Sequence, residues 1–114
     1  MKVVFTQDQL AFLRENTARL SRIAEKDKNG DPYYARIIKT LSQKFIGNDT
    51  AVFIPLNRNE VRSIQALCQS SMKALDQAIE VYRDRGSASD SYKEAAEKKK
   101  AFVAELEAHV GRYL

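Results

Sequence analysis

The hydrophobic pattern of this 114-residue chain changes period twice in the same way. Val3-Val4-Phe5 is a short β-prone run, followed by Thr6 and, three residues later, Gln9; an apolar helical rhythm then starts at Leu10 and Leu13. Phe53-Ile54-Pro55-Leu56 repeats the phrase, with Asn57 in the capping position, Glu60 three residues on, and the rhythm resuming at Val61 and Ile64. A β-prone run that meets a capping residue and then Gln or Glu predicts a strand feeding a helix whose first turn is closed by a capping box.

Helix one is expected from Thr6 to about Lys26, with Leu10, Leu13, Thr17, Leu20, Ile23 and Ala24 inward and Phe12 at the edge. Arg14, Ala18 and Arg22 make a separate stripe on its other side. Asn29-Gly30 is expected to supply left-handed backbone, and Asp31-Pro32 to open helix two as N-cap and first helical residue. Tyr34, Ile37, Ile38, Leu41 and Phe45 read as its buried face, and Gly47 as its left-handed terminator. Pro55 demotes the run 51–56 to an edge or strand-end position, pairing antiparallel with residues 2–5. Helix three should span about 57–85, with Val61, Ile64, Leu67, Cys68, Met72, Leu75, Ile79 and Tyr82 as its stripe and Gly86 as its end. A flexible polar link, 86–90, precedes a third capping box, Ser91 with Glu94. Helix four, about 91–113, carries a heptad-like seam of Tyr92, Ala95, Lys99, Phe102, Leu106, His109 and Tyr113, widened by Val103 and Val110.

The expected class is therefore mainly α (α+β): about four helices and one small two-stranded antiparallel sheet from residues near 2–5 and 51–56, in a single helical domain, 1–114. A helix of 57–85 would be roughly 42 Å long, against a radius of gyration of about 13 Å for a domain this size. An apolar face that outruns the core calls for cover, and a second copy of the chain is the simplest, with helix four as a candidate oligomerisation arm. Because the two strands need each other, helices one and three are expected to leave the sheet side by side, gathering their N-terminal donors at one electropositive edge.

Composition adds limits. A chain of 44% hydrophobic and 30% charged residues is that of a folded globular protein, not a disordered tail. No apolar run approaches the roughly 20 residues of a membrane span, no signal-peptide pattern opens the chain, and a single Cys excludes an internal disulfide and fits a reducing, cytoplasmic setting. The Asn48-Asp49-Thr50 sequon carries no weight without secretion. A net charge of +4, spread along the chain, modestly favours a phosphate-bearing partner.

Catalytic constellations are hard to assemble from one His and one Cys. Cys68 falls on the apolar stripe of helix three and reads as a core thiol; His109 falls on a seam and reads as an interface residue. Zinc spacing, a Walker loop and a dinucleotide fingerprint are missing. Asp27–Asp31 fails as a calcium loop, with Gly at position four and Ile38 where Glu is required. Neither a metal nor a cofactor is implied, and the chain reads as a non-enzyme. Glu94 to Glu107 interleave with Lys93 and Lys98–Lys100 as a solvated face.

The suggestive groups are arginines beside amides and aromatics at helix ends. Asn57, Arg58, Asn59 and Arg62 crowd the start of helix three, where free N–H groups favour an anion, although an N-cap with exposed arginines is the simpler explanation. Tyr82, Arg83 and Arg85, with Ser87 and Ser89, mark its end, where cations are favoured in any case. Arg112 and Tyr113 close the chain and either fray or reach a pocket. Tyr33 and Arg36 open helix two; of Tyr33 and Tyr34, one should face inward and the other outward.

No family motif can be quoted from the chain, which has the general look of a compact phage or mobile-element accessory protein. The leading expectation is a non-enzymatic homo-oligomer that sequesters an anionic nucleotide-like small molecule, arginines on phosphate and tyrosine on base. The alternative is a helical module that inhibits or scaffolds a partner protein. A nucleic-acid binder using Lys98–Lys100 is third.

Overall fold

The computed structural model describes residues 1–47 and 53–114. The sequon and the first two positions of the expected second strand lie outside the described residues. The elements, in order, are β1 (Lys2–Val4), α1 (Gln7–Lys26), α2 (Pro32–Ile46), β2 (Phe53–Pro55), α3 (Arg58–Asp84), a 3-10 turn (Ser87–Ser89) and α4 (Asp90–Gly111). The protein is mainly helical with one small antiparallel sheet, as the pattern predicts. The described residues form two compact units: Met1–Ser63 with Tyr113, and Ile64–Arg112 with Leu114.

In the first unit, β1 and β2 pair with Lys2 opposite Pro55, Val3 opposite Ile54 and Val4 opposite Phe53. Val3 and Ile54 are fully buried, whereas Val4 and Phe53 are exposed. Met1 and Leu56 exchange two backbone hydrogen bonds, both 2.8 Å, beyond the strands. Antiparallel ladders alternate bonded and non-bonded pairs. Val3–Ile54 is therefore the next bonded pair, and the backbone polar groups of Lys2, Val4, Phe53 and Pro55 face the free edges. Pro55 thus loses no ladder bond. Both edges are blunted: the Val4 N–H donates to the Tyr113 hydroxyl at 3.4 Å, and the Pro55 carbonyl accepts from Lys44 Nζ at 3.0 Å.

The antiparallel register overturns one expectation. α1 follows the Val4 end of the ribbon and α3 the Pro55 end, and these ends lie opposite each other. The two helix N-termini therefore do not share an edge.

Both capping boxes form. Thr6 Oγ1 accepts from Gln9 N at 3.1 Å while Gln9 Oε1 accepts from Thr6 N at 2.9 Å. Asn57 Oδ1 accepts from Glu60 N at 2.8 Å, and Glu60 Oε1 from Asn57 N at 2.9 Å. Asp31 caps α2 through Tyr33 N at 2.9 Å, with Pro32 at the first helical position.

The buried line of α1 is Leu10, Leu13, Thr17 and Ser21, not one that continues through Ile23, which is 55% exposed. Small hydroxyl residues replace the expected Leu20–Ile23 ridge, and Thr17 satisfies its own hydroxyl on the Leu13 carbonyl at 2.6 Å. In α2, Ile38, Leu41, Ser42 and Phe45 are buried; Tyr33 and Tyr34 are both exposed, so neither turns inward as expected. Phe45 meets Phe5 edge-to-face at 5.8 Å, closing the core beneath the ribbon. Neither Gly30 nor Gly47 is left-handed; Gly47 has φ −77°. A Cβ at Gly30 would stand 2.8 Å from Oδ2 of the exposed Asp27 side chain, which would have to swing aside.

In the second unit, α3 and α4 form an antiparallel hairpin. Gln69 bonds Glu107 at 3.3 Å and Lys100 pairs with Asp76 at 2.5 Å, so positions advance along one helix as they recede along the other. Ile64, Leu67, Cys68 and Ile79 are buried as predicted, while Met72, Leu75 and Tyr82 are half-buried. The buried line of α4 is Ala96, Val103, Leu106 and Val110. Leu106 of the expected seam and its flanking Val103 and Val110 are buried as predicted and Phe102, His109 and Tyr113 are half-buried, but at the start of the helix Tyr92, Ala95 and Lys99 are exposed and Ala96 is buried instead. The Ser91 capping box does not form, because the helix already begins at Asp90 after the 3-10 turn, with Ser89 buried. The connection is therefore structured, not a flexible link. Gly86 does end α3, at φ +77° and ψ −161°, a region open essentially to glycine alone.

Candidate functional site

The capping box that starts α3 also builds the most distinctive polar cluster of the first unit. Glu60 is 2% exposed. Its Oε1 accepts from Lys44 Nζ at 2.7 Å as well as from the Asn57 backbone, and Lys44 simultaneously holds the Pro55 carbonyl. One lysine thus joins α2, β2 and the cap of α3. Glu60 Oε2, also buried, finds no hydrogen-bond partner among the described residues. A buried carboxylate normally fills its acceptor sites, so an empty one marks the spot.

Beside it lies a cavity of about 260 Å³, open to solvent, lined by Tyr33, Arg36, Ile37, Thr40, Asn57 and Glu60. Tyr33 and Arg36 sit one turn apart near the start of α2, and Ile37 and Thr40 extend that face. Asn57 and Glu60 come from the cap of α3. Asn59 donates through Nδ2 to the Tyr33 hydroxyl at 2.9 Å, tying the two helix starts together. The hydroxyl is thereby engaged, leaving the ring as a fixed aromatic wall. The cavity offers an apolar floor, a stacking surface, a guanidinium, a hydroxyl, an amide and a carboxylate.

The structure therefore unites Tyr33, Arg36, Asn57 and Asn59, two groups that the sequence shows separately. Arg58 and Arg62 are exposed and do not line the cavity. The reasoning that an external anion should sit on the N-terminus of α3 also changes: Glu60 is the anion there, and it takes up the favourable end of the helix dipole.

The remaining candidates go elsewhere. Arg83 and Arg85 are exposed at the end of α3, where Tyr82 stacks on Tyr92 with centroids 5.8 Å apart and planes 26° apart. Arg112 is exposed and caps α4; Tyr113 does not fray but is half-buried against the β1 edge. Cys68 is fully buried, and burial first, with the Glu107 charge adding, pushes its thiol up to about 12. A thiol so protonated is a poor nucleophile. His109 is half-buried on α4. No group of three His, Cys, Asp or Glu side chains gathers to hold a metal among the described residues, and no helix there is long and apolar enough to cross a membrane.

A second, smaller cavity of about 160 Å³ lies between the end of α1 and the start of α2, walled by Leu20, Ile23, Ala24 and Tyr34 with Asp27 and Asp31 at its rim. It explains the fate of two expected core residues, Ile23 and Tyr34, which flank this hollow instead of closing it. Burial raises the Tyr34 phenol above its ordinary pKa.

Sequence reasoning missed Ile37 as a wall, Thr40, and the role of Lys44. Glu60 is legible as a cap, but nothing local connects it to a lysine sixteen residues earlier. No family model, curated protein or solved structure matches the chain.

Proposed function

We propose that this protein is a non-enzymatic binding protein for an anionic, nucleotide-like small molecule, held at the Tyr33–Glu60 cavity. The observation that carries the reading is the convergence of Tyr33, Arg36 and Asn57 on one cavity, with Asn59 fixing the tyrosine. Arg36 suits bidentate pairing with phosphate, the Tyr33 ring suits stacking on a planar group, and Thr40 and Asn57 offer hydrogen bonds to hydroxyls. The volume decides how much enters. At about 260 Å³ the cavity falls below the roughly 300–1,000 Å³ of pockets that engulf a drug-sized ligand, so one ring system is held and the rest of the ligand lies at the rim. A second copy of the chain would complete such an open site, and withholding the ligand without altering it is the action that fits.

The reading is tested by native mass spectrometry of freshly purified protein, for subunit number and retained ligand mass, and by melting curves over a panel of nucleotides at millimolar concentration. A retained nucleotide or a rise in melting temperature that Arg36→Ala abolishes supports it. An unshifted melting temperature throughout the panel refutes it. A second reading, a helical module that docks on a partner protein, is favoured by one observation: Tyr92 is 64% exposed and Val81 47% exposed beside the Tyr82–Tyr92 stack. Burial of Tyr92 in an oligomer of the chain itself would dispose of that reading.

A further inference from the structure

We infer that the nucleotide taken by the Tyr33–Glu60 cavity is one whose base carries an exocyclic amino group, which donates a hydrogen bond to Glu60 Oε2. This rests on the binding function proposed above and narrows it.

Glu60 is only half-satisfied. Its charge is already met: Lys44 stands 2.7 Å from Oε1, and the Asn57 backbone N–H donates to the same oxygen. Its second oxygen accepts nothing among the described residues, although the side chain is 2% exposed and lines the cavity. The deficit is therefore a hydrogen-bond donor, not a positive charge. A free ammonium or guanidinium is the wrong supplier, because it would enter beside the Arg36 guanidinium and the Lys44 ammonium and meet like charge. A neutral N–H on a planar ring escapes that repulsion. The ring can lie against Tyr33 and Ile37 while its substituent reaches the carboxylate, whose terminal torsion is broad enough to turn toward it.

The same ligand must satisfy Arg36, which requires an anionic group distal to the amino group. An aminated heterocycle joined to a phosphate meets both demands, and the cavity volume admits the heterocycle alone. Relatives with hydrogen in place of the amino group keep the ring and the phosphate but present no donor, leaving the buried Oε2 unpaired beneath the bound ring. A buried acceptor left unpaired lowers affinity by about tenfold or more.

Ligand pairs test this without altering Glu60, which the fold needs as a cap. Isothermal titration would compare adenosine 5′-monophosphate with the purine riboside monophosphate that lacks its amino group, cytidine 5′-monophosphate with the 2-pyrimidinone riboside monophosphate that lacks its own, and ribose 5-phosphate as a control. The expected result is that the aminated member of each pair binds about tenfold or more tightly, and that ribose 5-phosphate is weaker than all four. Equal affinity within both pairs would overturn the inference, as would ribose 5-phosphate binding as tightly as the nucleotides; either result leaves the anion-binding function standing. Absence of binding by every nucleotide overturns both.

Discussion

Replacing Lys44 by methionine should destabilise the first unit more than any other single change to an apparently superficial residue. The substitution keeps the length and apolar stem of the side chain and removes the ammonium. Glu60, 2% exposed, loses its 2.7 Å partner, and the Pro55 carbonyl loses its 3.0 Å donor. Stripping one member from a buried ion pair costs about 3–5 kcal/mol. The Lys44 side chain is 31% exposed, so water reaches part of the pair and screens it, and Glu60 keeps its backbone donor from Asn57. Discounting for both, we expect a loss of about 2 kcal/mol from the pair and a further ~0.5 kcal/mol from the Pro55 carbonyl. Urea unfolding of wild type, Lys44→Met, Glu60→Gln and the double variant measures it. The double variant should be markedly more stable than the sum of the single losses implies, since neither charge is then left alone. Strictly additive losses, or a Lys44→Met protein within 0.5 kcal/mol of wild type, would refute the view that this lysine neutralises a buried carboxylate.

Three further outcomes follow from the geometry. Gly86→Ala should cost about 1–3 kcal/mol in urea unfolding, because φ +77° with ψ −161° is open essentially to glycine even though no atom crowds the site; an unchanged midpoint would contradict this. Cys68, held as a thiol up to about 12 against an ordinary 9.0, should react with a disulfide reagent only after unfolding. Between those values the unfolded chain releases a proton that the folded chain keeps, so stability should fall with rising pH by up to about 1.4 kcal/mol per unit, a slope that Cys68→Ala removes. Tyr113→Phe should accelerate hydrogen exchange at the Val4 amide and cost about 0.5 kcal/mol, since only the hydroxyl at the β1 edge is lost; unchanged exchange at Val4 would show that the edge is guarded otherwise.

The parts of the fold that local chemistry dictates were readable from the chain. The first two capping boxes, the Asp31-Pro32 start and the end of α3 at Gly86 depend on residues within a few positions of one another, and they form as expected; so does the ribbon, whose partners are far apart in sequence. What failed was the Ser91 capping box and the left-handed reading of Gly30 and Gly47, and with them phase and direction. In α4 Val103, Leu106 and Val110 are buried as expected, but in its first turns the hairpin with α3 buries Ala96 and leaves Tyr92, Ala95 and Lys99 exposed. Periodicity alone does not choose between stripes one position apart. In α1 the buried line runs on from the expected Thr17 to Ser21 and not to the bulkier Leu20 and Ile23, a choice the apolar pattern does not register. The placing of two helix N-termini at one edge failed because an antiparallel ribbon sends its following helices from opposite ends.

The candidate site was legible only in pieces. Tyr33 and Arg36 stand out beside Pro32, and Asn57 and Asn59 stand out at the next helix start, but twenty-one residues separate the groups. Only the packing of α2 and the cap of α3 around Lys44 and Glu60 makes them one cavity. Glu60 changes its meaning as well: as a capping residue it is ordinary, and as a buried carboxylate with an idle oxygen it is the feature on which the proposed ligand preference rests.

An amide-correlation NMR titration with guanosine 5′-monophosphate tests the central assignment most directly, since it reports every backbone amide at once. The account predicts saturable shifts concentrated at Tyr33, Arg36, Ile37, Thr40, Asn57 and Asn59, with little change at Tyr82 to Arg85. Shifts centred on the end of α3, or a spectrum indifferent to the nucleotide, would contradict it.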